Sequence, residues 1–185
     1  MKQFLKVDEW NIIEECFHPD NMRASESIFS LGNGRFGQRG NFEETYSSDS
    51  LQGSYVAGIT FLDRTRVGWW KNGYPRFFSR VPNLSLYLRL IDEELDLAHW
   101  DVEAYRRRLD MREGISYRDF RVTSPKGHTL EVHVEHINSL ANQNLCLIKY
   151  SVTSVNYEGK ISLVPFLNGD VKHENSNFDE KMWNI

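Results

Sequence analysis

Three segments of the chain follow the two-residue period of a β-strand, and this feature constrains the fold more than any other. Residues 84–90 alternate between leucine and other side chains, which places four leucines on one face of an extended strand. Residues 129–134 and 145–153 alternate in the same way, whereas residues 161–167 carry apolar side chains on both faces. The first three segments therefore predict strands with one buried face, and the fourth predicts a strand buried on both faces in a layered stack.

The segments between these strands contain turn residues rather than helical periodicity. Residues 124–127, Ser-Pro-Lys-Gly, suit a type I turn, and residues 156–159 and 168–169 contain similar turn residues. Only residues 101–111 have helical character, with a poor period. Closely spaced strands joined by turns predict antiparallel pairing, so the interpretation is a single all-β domain over residues 1–185, a large antiparallel β-sandwich.

Composition excludes several classes of protein. The chain is 40% hydrophobic and 26% charged, as is usual for a globular domain. Its 22 basic and 26 acidic residues give a net charge of −4, which does not suit non-specific nucleic-acid binding. No apolar run is long enough for a membrane span or a signal peptide, so the expected location is the cytoplasm. Cys16 and Cys146 have no C-x-x-C partner and are expected to be free thiols.

A glycine-rich segment, residues 32–40, is the first candidate site. Residues 32–37 match the G-x-G-x-x-G spacing of a nucleotide-binding loop, but no buried strand precedes them and no helical pattern follows. Asn33-Gly34 before Phe36 favours a tight hairpin turn instead. Four glycines within nine residues, flanked by Arg35 and Arg39, indicate that the backbone approaches another group closely.

Three groups of charged residues are further candidate sites. Glu43 and Glu44 are adjacent, and on a strand they would point to opposite faces, one buried against an arginine and one solvated. Residues 133–136, His-Val-Glu-His, fit no zinc motif, and a solvated sheet face is the preferred interpretation, so no metal is expected. Residues 106–108 are three arginines flanked by acids, which favours a salt-bridged face or a domain contact over a phosphate or RNA site.

Aromatic side chains crowd the segment between residues 69 and 78. They could stack on sugar rings or anchor a protein interface, and an interface is the preferred hypothesis. The candidate interface residues are Trp69, Trp70, Tyr74, Phe77 and Phe78.

Several segments together resemble the N-terminal domain of glycoside hydrolase family 65, the family of maltose, trehalose, kojibiose and nigerose phosphorylases. Residues 26–34, Glu-Ser-Ile-Phe-Ser-Leu-Gly-Asn-Gly, are followed by Phe-Gly-Gln-Arg-Gly at 36–40 and Phe-Glu-Glu at 42–44. Further matches in the expected order lie at residues 53–58, 81–84, 108–114 and 168–171.

The resemblance implies a β-supersandwich of the galactose-mutarotase-like kind, followed in the family by a helical linker and a barrel of paired helices. That barrel carries the general-acid glutamate, the phosphate site and most sugar contacts, and it is absent from these 185 residues. The resemblance therefore implies a non-catalytic domain truncated at its C-terminal side. The implied reaction of the parent enzyme is inverting phosphorolysis of an α-linked glucose disaccharide, or hydrolysis in some members.

The resemblance implies no organic cofactor or metal, with inorganic phosphate as the co-substrate of the parent. Its implied partners are the catalytic barrel, an α-glucoside disaccharide and further copies of the chain in a homo-oligomer. We hypothesise that a rigid turn abuts the barrel near its active-site mouth, formed by Asn33, Gly34, Arg39, Gly40 and Glu43. The alternative function is a stand-alone carbohydrate-binding β-sandwich module, with the Trp69-Trp70 pair as a stacking platform.

Overall fold

The structure, a computed structural model, describes residues 4–62, 76–81, 83–90 and 92–169, and only the backbone of 61–62, 76–81 and 83–87. The described elements are mostly strands, with one 3-10 helix and one α-helix. In chain order they are β1 (Leu5–Val7), β2 (Asn11–Glu14), the 3-10 helix (Pro19–Asn21), α1 (Met22–Ile28), β3 (Leu31–Gly32), β4 (Phe36–Gln38), β5 (Ser54–Leu62), β6 (Arg76–Val81), β7 (Asn83–Arg89), β8 (Asp101–Asp110), β9 (Ile115–Thr123), β10 (Thr129–Asn138), β11 (Cys146–Ser154) and β12 (Ser162–Asn168).

The strands form three antiparallel sheets. A six-stranded sheet has the order β1-β2-β8-β9-β10-β11, a four-stranded sheet has the order β3-β4-β5-β6, and β12 pairs with β7. In the large sheet Val132 lies between Phe120 and Val152 on neighbouring strands, so their side chains share one face. The antiparallel all-β architecture predicted from the alternating patterns is confirmed.

One hydrophobic cluster joins the inner face of the six-stranded sheet to residues outside it. The sheet contributes Tyr105 of β8 and alternate residues of β9 and β10, and α1 contributes Met22. The buried members are Met22, Phe42, Tyr46, Leu88, Leu90, Leu95, Leu97, Trp100, Tyr105, Phe120, Val122, Leu130, Val132 and Val134. Segment 42–46 is therefore held against the sheet, which fixes the position of the two glutamates within it.

The helical character expected for residues 101–111 is wrong, because this segment is strand β8. Its register shifts between Glu103 and Arg106, and Ala104 has a φ of 49°, as at a β-bulge. The bulge exposes two consecutive residues, which breaks the two-residue alternation that identifies a strand. Beyond it the inner face resumes as Tyr105, Arg107 and Leu109.

The expectation that residues 161–167 are buried on both faces is also wrong for the structure as described. Leu163, Val164 and Leu167 of β12 are exposed. Leu163 and Val164 are consecutive and point to opposite faces, so each face of this strand carries an exposed apolar side chain. Their exposure leaves an apolar strand that pairs only with β7 among the described elements.

Candidate functional site

The glycine-rich segment begins with a hairpin, as the Asn-Gly pair predicts. Gly32 pairs with Gly37, and Gly34 has a φ of 86°, a conformation that favours glycine. Asn33 is buried at the turn, and its Oδ1 accepts hydrogen bonds from the backbone N–H groups of Arg35 and Phe36 at 3.1 and 2.8 Å. The side chain of Asn33 therefore stabilises the backbone conformation of the turn.

Asn33 also fastens the hairpin to the loop after β10. Its Nδ2 donates to the carbonyl oxygen of Ser139 at 2.9 Å and to that of Gln143 at 3.3 Å. Gly34 and Arg35, at the tip of the turn, remain exposed. The hairpin is thus anchored on one side and presents its tip on the other.

Gly40 is the glycine of segment 32–40 at which the backbone approaches its neighbour most closely. A Cβ atom built there would lie 2.8 Å from both the Cβ and the carbonyl oxygen of Phe29. The N–H of Gly40 donates to the carbonyl oxygen of Glu26 at 2.7 Å, and its own carbonyl accepts from Nη2 of Arg107 at 2.7 Å. The close approach expected from the glycines is present here, and the neighbours are α1 and Phe29, the residue that follows it.

Arg39 also bonds within the domain. Its Nη2 donates to the carbonyl oxygen of Arg23 at 3.0 Å and to the Ser27 hydroxyl at 2.7 Å, and its backbone N–H donates to the carbonyl of Gly53 at 2.8 Å. These contacts tie β4 to α1 and to the start of β5.

Glu43 and Glu44 converge on one arginine, which corrects the prediction that they point to opposite faces with one of them solvated. Both are buried, and Nη2 of Arg118 donates to Glu43 Oε2 at 2.6 Å and to Glu44 Oε2 at 2.7 Å. Glu43 lies in a bend rather than in a regular strand, so the alternation rule does not apply to it. The Tyr150 hydroxyl donates to Glu44 Oε1 at 2.7 Å.

Burial and charge together set the protonation of the groups around Arg118. Burial lowers the pKa of the Arg118 guanidinium, but the Glu44 and Glu43 charges outweigh this effect and raise the pKa above its usual value. Burial, reinforced by Glu44, raises the pKa of Tyr150 well above its usual range. Burial likewise raises the pKa of Tyr105 to about 12. Both phenols therefore stay neutral at neutral pH, and Arg118 stays charged.

Arg107 is a second buried cation on the same sheet face. Its guanidinium carbon lies 5.1 Å from the ring centres of both Phe29 and Phe42, and that of Arg118 lies 4.7 Å from the Phe42 ring centre. The Phe42 ring thus contacts two guanidinium groups at cation–π distance. In the sequence, residues 106–108 form one basic cluster, and the pattern does not reveal that only the middle arginine points inward.

His136 completes this group of polar residues. Its Nε2 lies 2.9 Å from Gln38 Oε1 and 3.3 Å from the Cys146 Sγ, and its Nδ1 lies 3.7 Å from Glu43 Oε1. Burial lowers the pKa of His136, and burial raises the pKa of the Cys146 thiol. The imidazole is thus neutral at neutral pH and the thiol protonated, so this pair is a hydrogen-bonded contact rather than an activated nucleophile.

A narrow cleft lies where these residues meet, between the glycine-rich segment and the sheet. It is lined by Phe29, Leu31, Gln38, Arg39, Gly40, Asn41, Glu43, Arg107, Ser116, Arg118, Val134 and His136. We call it the arginine cleft. Of the candidate residues from the sequence, Arg39, Gly40 and Glu43 line it, whereas Asn33 and Gly34 do not. Arg107 and Arg118 were missed by the sequence analysis.

The remaining candidates lie elsewhere. His133 lies on the outer face of the six-stranded sheet, with its Nδ1 2.5 Å from Asp119 Oδ1 and its Nε2 3.1 Å from Glu135 Oε1. His136 lies on the inner face, as the alternation along β10 predicts. Among the described residues no three His, Cys, Asp or Glu side chains are grouped so that they could hold a metal ion. Trp69, Trp70 and Tyr74 lie outside the described residues. The backbone at Phe77 and Phe78 lies in β6, paired with β5.

The charged residues of the arginine cleft bond to other parts of the domain and connect its elements. A general acid must carry a proton towards substrate, but both glutamates here are ion-paired with Arg118. The contacts join α1, β4, segment 42–44 and strands β8, β9, β10 and β11, which are far apart in sequence. The arrangement therefore holds elements in place.

Comparison with known proteins decides the family. A family model described as glycosyl hydrolase family 65, N-terminal domain, matches residues 12–185. The chain belongs to this family. It is 41% identical over 186 residues to a maltose phosphorylase of Bacillus subtilis (strain 168), covering 98% of this chain and 24% of that protein. It is 33% identical to an alpha,alpha-trehalose phosphorylase of Thermoanaerobacter brockii, with coverage of 98% and 24%.

A solved structure agrees with this assignment to family 65. A human-microbiome protein named after kojibiose phosphorylase superposes with a TM-score of 0.84 at 30% identity, covering 93% of this chain and 23% of that one. The chain thus spans about a quarter of the length of the curated relatives it matches. Within the described residues, no helix combines the length and hydropathy needed to cross a membrane.

Proposed function

We propose that this chain is the non-catalytic N-terminal domain of a disaccharide phosphorylase of the maltose, trehalose or kojibiose class, and that it supports the catalytic helical barrel. The observation that carries the proposal is the 41% identity to a maltose phosphorylase along 98% of this chain but only 24% of that enzyme. The arginine cleft supports it, because its ionisable groups are engaged in holding the fold together.

The reaction proposed for the whole enzyme is phosphorolysis of an α-linked glucose disaccharide. One protein carboxylic acid protonates the leaving oxygen, and inorganic phosphate attacks the opposite face of the sugar in place of the water used by an inverting hydrolase. The acid and the phosphate site belong to the barrel in this proposal. The cytoplasmic location expected from the sequence is part of the same proposal.

A chimera tests this function directly. The N-terminal quarter of the Bacillus subtilis maltose phosphorylase is replaced by this chain, and release of glucose 1-phosphate from maltose and phosphate is measured. We expect the chimera to be active and the isolated 185-residue chain to be inactive. Turnover of a disaccharide by the isolated chain, with phosphate or water, would contradict the proposal.

The proposed contact of the glycine-rich segment with the barrel is tested in the same chimera. Gly34→Val is compared with Gly127→Val, because Gly127 has nearly the same φ, 85° against 86°, in a different turn. Both substitutions impose similar backbone strain. We expect Gly34→Val to lower kcat more than Gly127→Val at equal loss of Tm. Equal activity losses would restrict the turn to a folding role.

The alternative of a stand-alone carbohydrate-binding module makes a different prediction for the isolated chain. Titration calorimetry with maltose, trehalose and kojibiose should show no saturable heat if the domain is a scaffold. Saturable heat with any of them would favour the binding module.

Sedimentation of the active chimera tests the proposed homo-oligomer, which predicts a mass above that of one chain.

A further inference from the structure

Asn33 uses its whole side chain to hold the hairpin of the glycine-rich segment. It is 4% exposed, and its amide makes four hydrogen bonds. Oδ1 accepts from the N–H groups of Arg35 and Phe36, and Nδ2 donates to the carbonyl oxygens of Ser139 and Gln143. An amide group has two lone pairs on its oxygen and two N–H donors, so all of its hydrogen-bonding capacity is used.

The pair Asn33-Gly34 is also chemically reactive. The backbone nitrogen of Gly34 attacks Cγ of Asn33 and forms an N–Cγ bond, while the Cγ–Nδ2 bond breaks and ammonia leaves with the proton of the attacking nitrogen. Water then opens the resulting succinimide ring and gives aspartate or isoaspartate. Glycine after asparagine favours the attack, because it has no side chain to obstruct it. The chain contains such pairs at residues 33–34, 72–73 and 168–169.

The folded hairpin opposes this reaction at Asn33. The attack requires the amide group to rotate and to lose its nitrogen, which breaks the bonds to Ser139 and Gln143 and to the turn. Burial of Asn33 also excludes the water that opens the ring. The reaction therefore starts from conformations in which the hairpin has opened away from the loop after β10.

The product does not fit the place that Asn33 occupies. A carboxylate accepts hydrogen bonds but donates none, so the carbonyl oxygens of Ser139 and Gln143 would lose their donor and face a negative charge. The isoaspartate product also changes the backbone of the turn, because the chain then runs through the former side chain. Either product leaves the hairpin without its attachment to the loop after β10.

We propose that Asn33 is a deamidation site controlled by opening of the hairpin. The intact hairpin protects the amide, and an opened hairpin exposes it to a reaction that cannot be reversed by refolding. Each unfolding event thus converts a fraction of the molecules to a form in which the glycine-rich segment is no longer fastened. This inference does not depend on the enzymatic reaction proposed above.

Peptide mass spectrometry of the unmodified 185-residue chain tests the protection. The chain is incubated folded and in urea at the same pH and temperature, and amide-to-acid conversion is followed at each Asn-Gly pair. In urea the three pairs should react at similar rates, because each asparagine is followed by glycine. In the folded chain Asn33 should react at least about tenfold more slowly than in urea. Equal rates at Asn33 in the folded and unfolded chain would overturn the proposal.

Asn33→Asp tests the effect of the reaction product on the hairpin. Asn144→Asp is the matched control, because it makes the same amide-to-acid change at an exposed position of the loop after β10. We expect Asn33→Asp to lower Tm by about 4–10 °C and to speed hydrogen exchange in residues 139–145. Asn144→Asp should leave both nearly unchanged. If the two variants lower Tm equally, the proposed release of the hairpin is refuted.

Discussion

Replacing Arg118 by methionine tests the buried ion pairs at the centre of the fold. The side chains of Arg118, Glu43 and Glu44 are 5%, 9% and 0% exposed, so the variant leaves two carboxylates buried without their cation. Removing one partner of a buried pair costs about 3–5 kcal/mol, and the lost cation–π contact to Phe42 adds about 1 kcal/mol. We expect a loss of about 4–6 kcal/mol in the free energy of unfolding, measured by urea denaturation with tryptophan fluorescence.

Arg121→Met is the matched control on the same strand. Arg121 also pairs with a glutamate, Glu131 at 2.5 Å, but their side chains are 45% and 49% exposed. An exposed pair contributes about 0–1 kcal/mol, because water screens it. In the double variant Arg118→Met, Glu44→Gln, one buried charge is removed and part of the stability should return. If Arg118→Met costs no more than Arg121→Met, the assignment of the buried pairs as the central cross-link is refuted.

Two further predictions concern the neighbours of this cluster. Gly40→Ala should cost about 1–3 kcal/mol in urea denaturation, because its Cβ would lie 2.8 Å from Phe29, whereas Gly37→Ala, with open space around it, should cost much less. Burial lowers the pKa of His136 in the folded chain. Below about pH 6.5 the unfolded chain therefore binds a proton that the folded chain excludes, and the free energy of unfolding decreases as the pH is lowered. His136→Gln should make the decline in Tm from pH 7 to pH 5 shallower; the raised pKa of His133, which acts in the opposite direction, is common to both proteins.

The fold was predictable wherever alternation is regular. Strands β7, β10 and β11 coincide with the alternating segments within a few residues, because Leu88 of β7 and alternate side chains of β10 and β11 pack into the core. Strand β8 was hidden by the bulge at Ala104, which shifts the inward positions by one residue. Helix α1 was missed because two of its three buried residues are the polar Ser25 and Glu26, so it has no apolar stripe.

The arginine cleft was only partly predictable from the sequence, because the residues that meet there are far apart along the chain. Alternation within β9 places Arg118 on the same face as the buried Phe120, and a buried arginine requires a carboxylate partner. That signal was present in the sequence and pointed to a buried pair. The sequence predicted one of the two glutamates buried against an arginine, but it could not identify Arg118 as that arginine, because Glu43 and Glu44 lie 75 and 74 residues away from it. They lie at a bend whose conformation depends on Phe42 packing into the core.

The directions of these side chains restrict which residues of the glycine-rich segment can contact a catalytic barrel. Arg39, Gly40 and Glu43 bond to or pack against α1 and the sheet, so they are engaged within the domain. Gly34 and Arg35 are exposed at the tip of a turn that Asn33 anchors from behind. A barrel contact through this segment would therefore be made by the tip. The inward residues would act on it only by holding the tip in position, which predicts that their substitution lowers stability and activity together, whereas substitution at the tip separates the two.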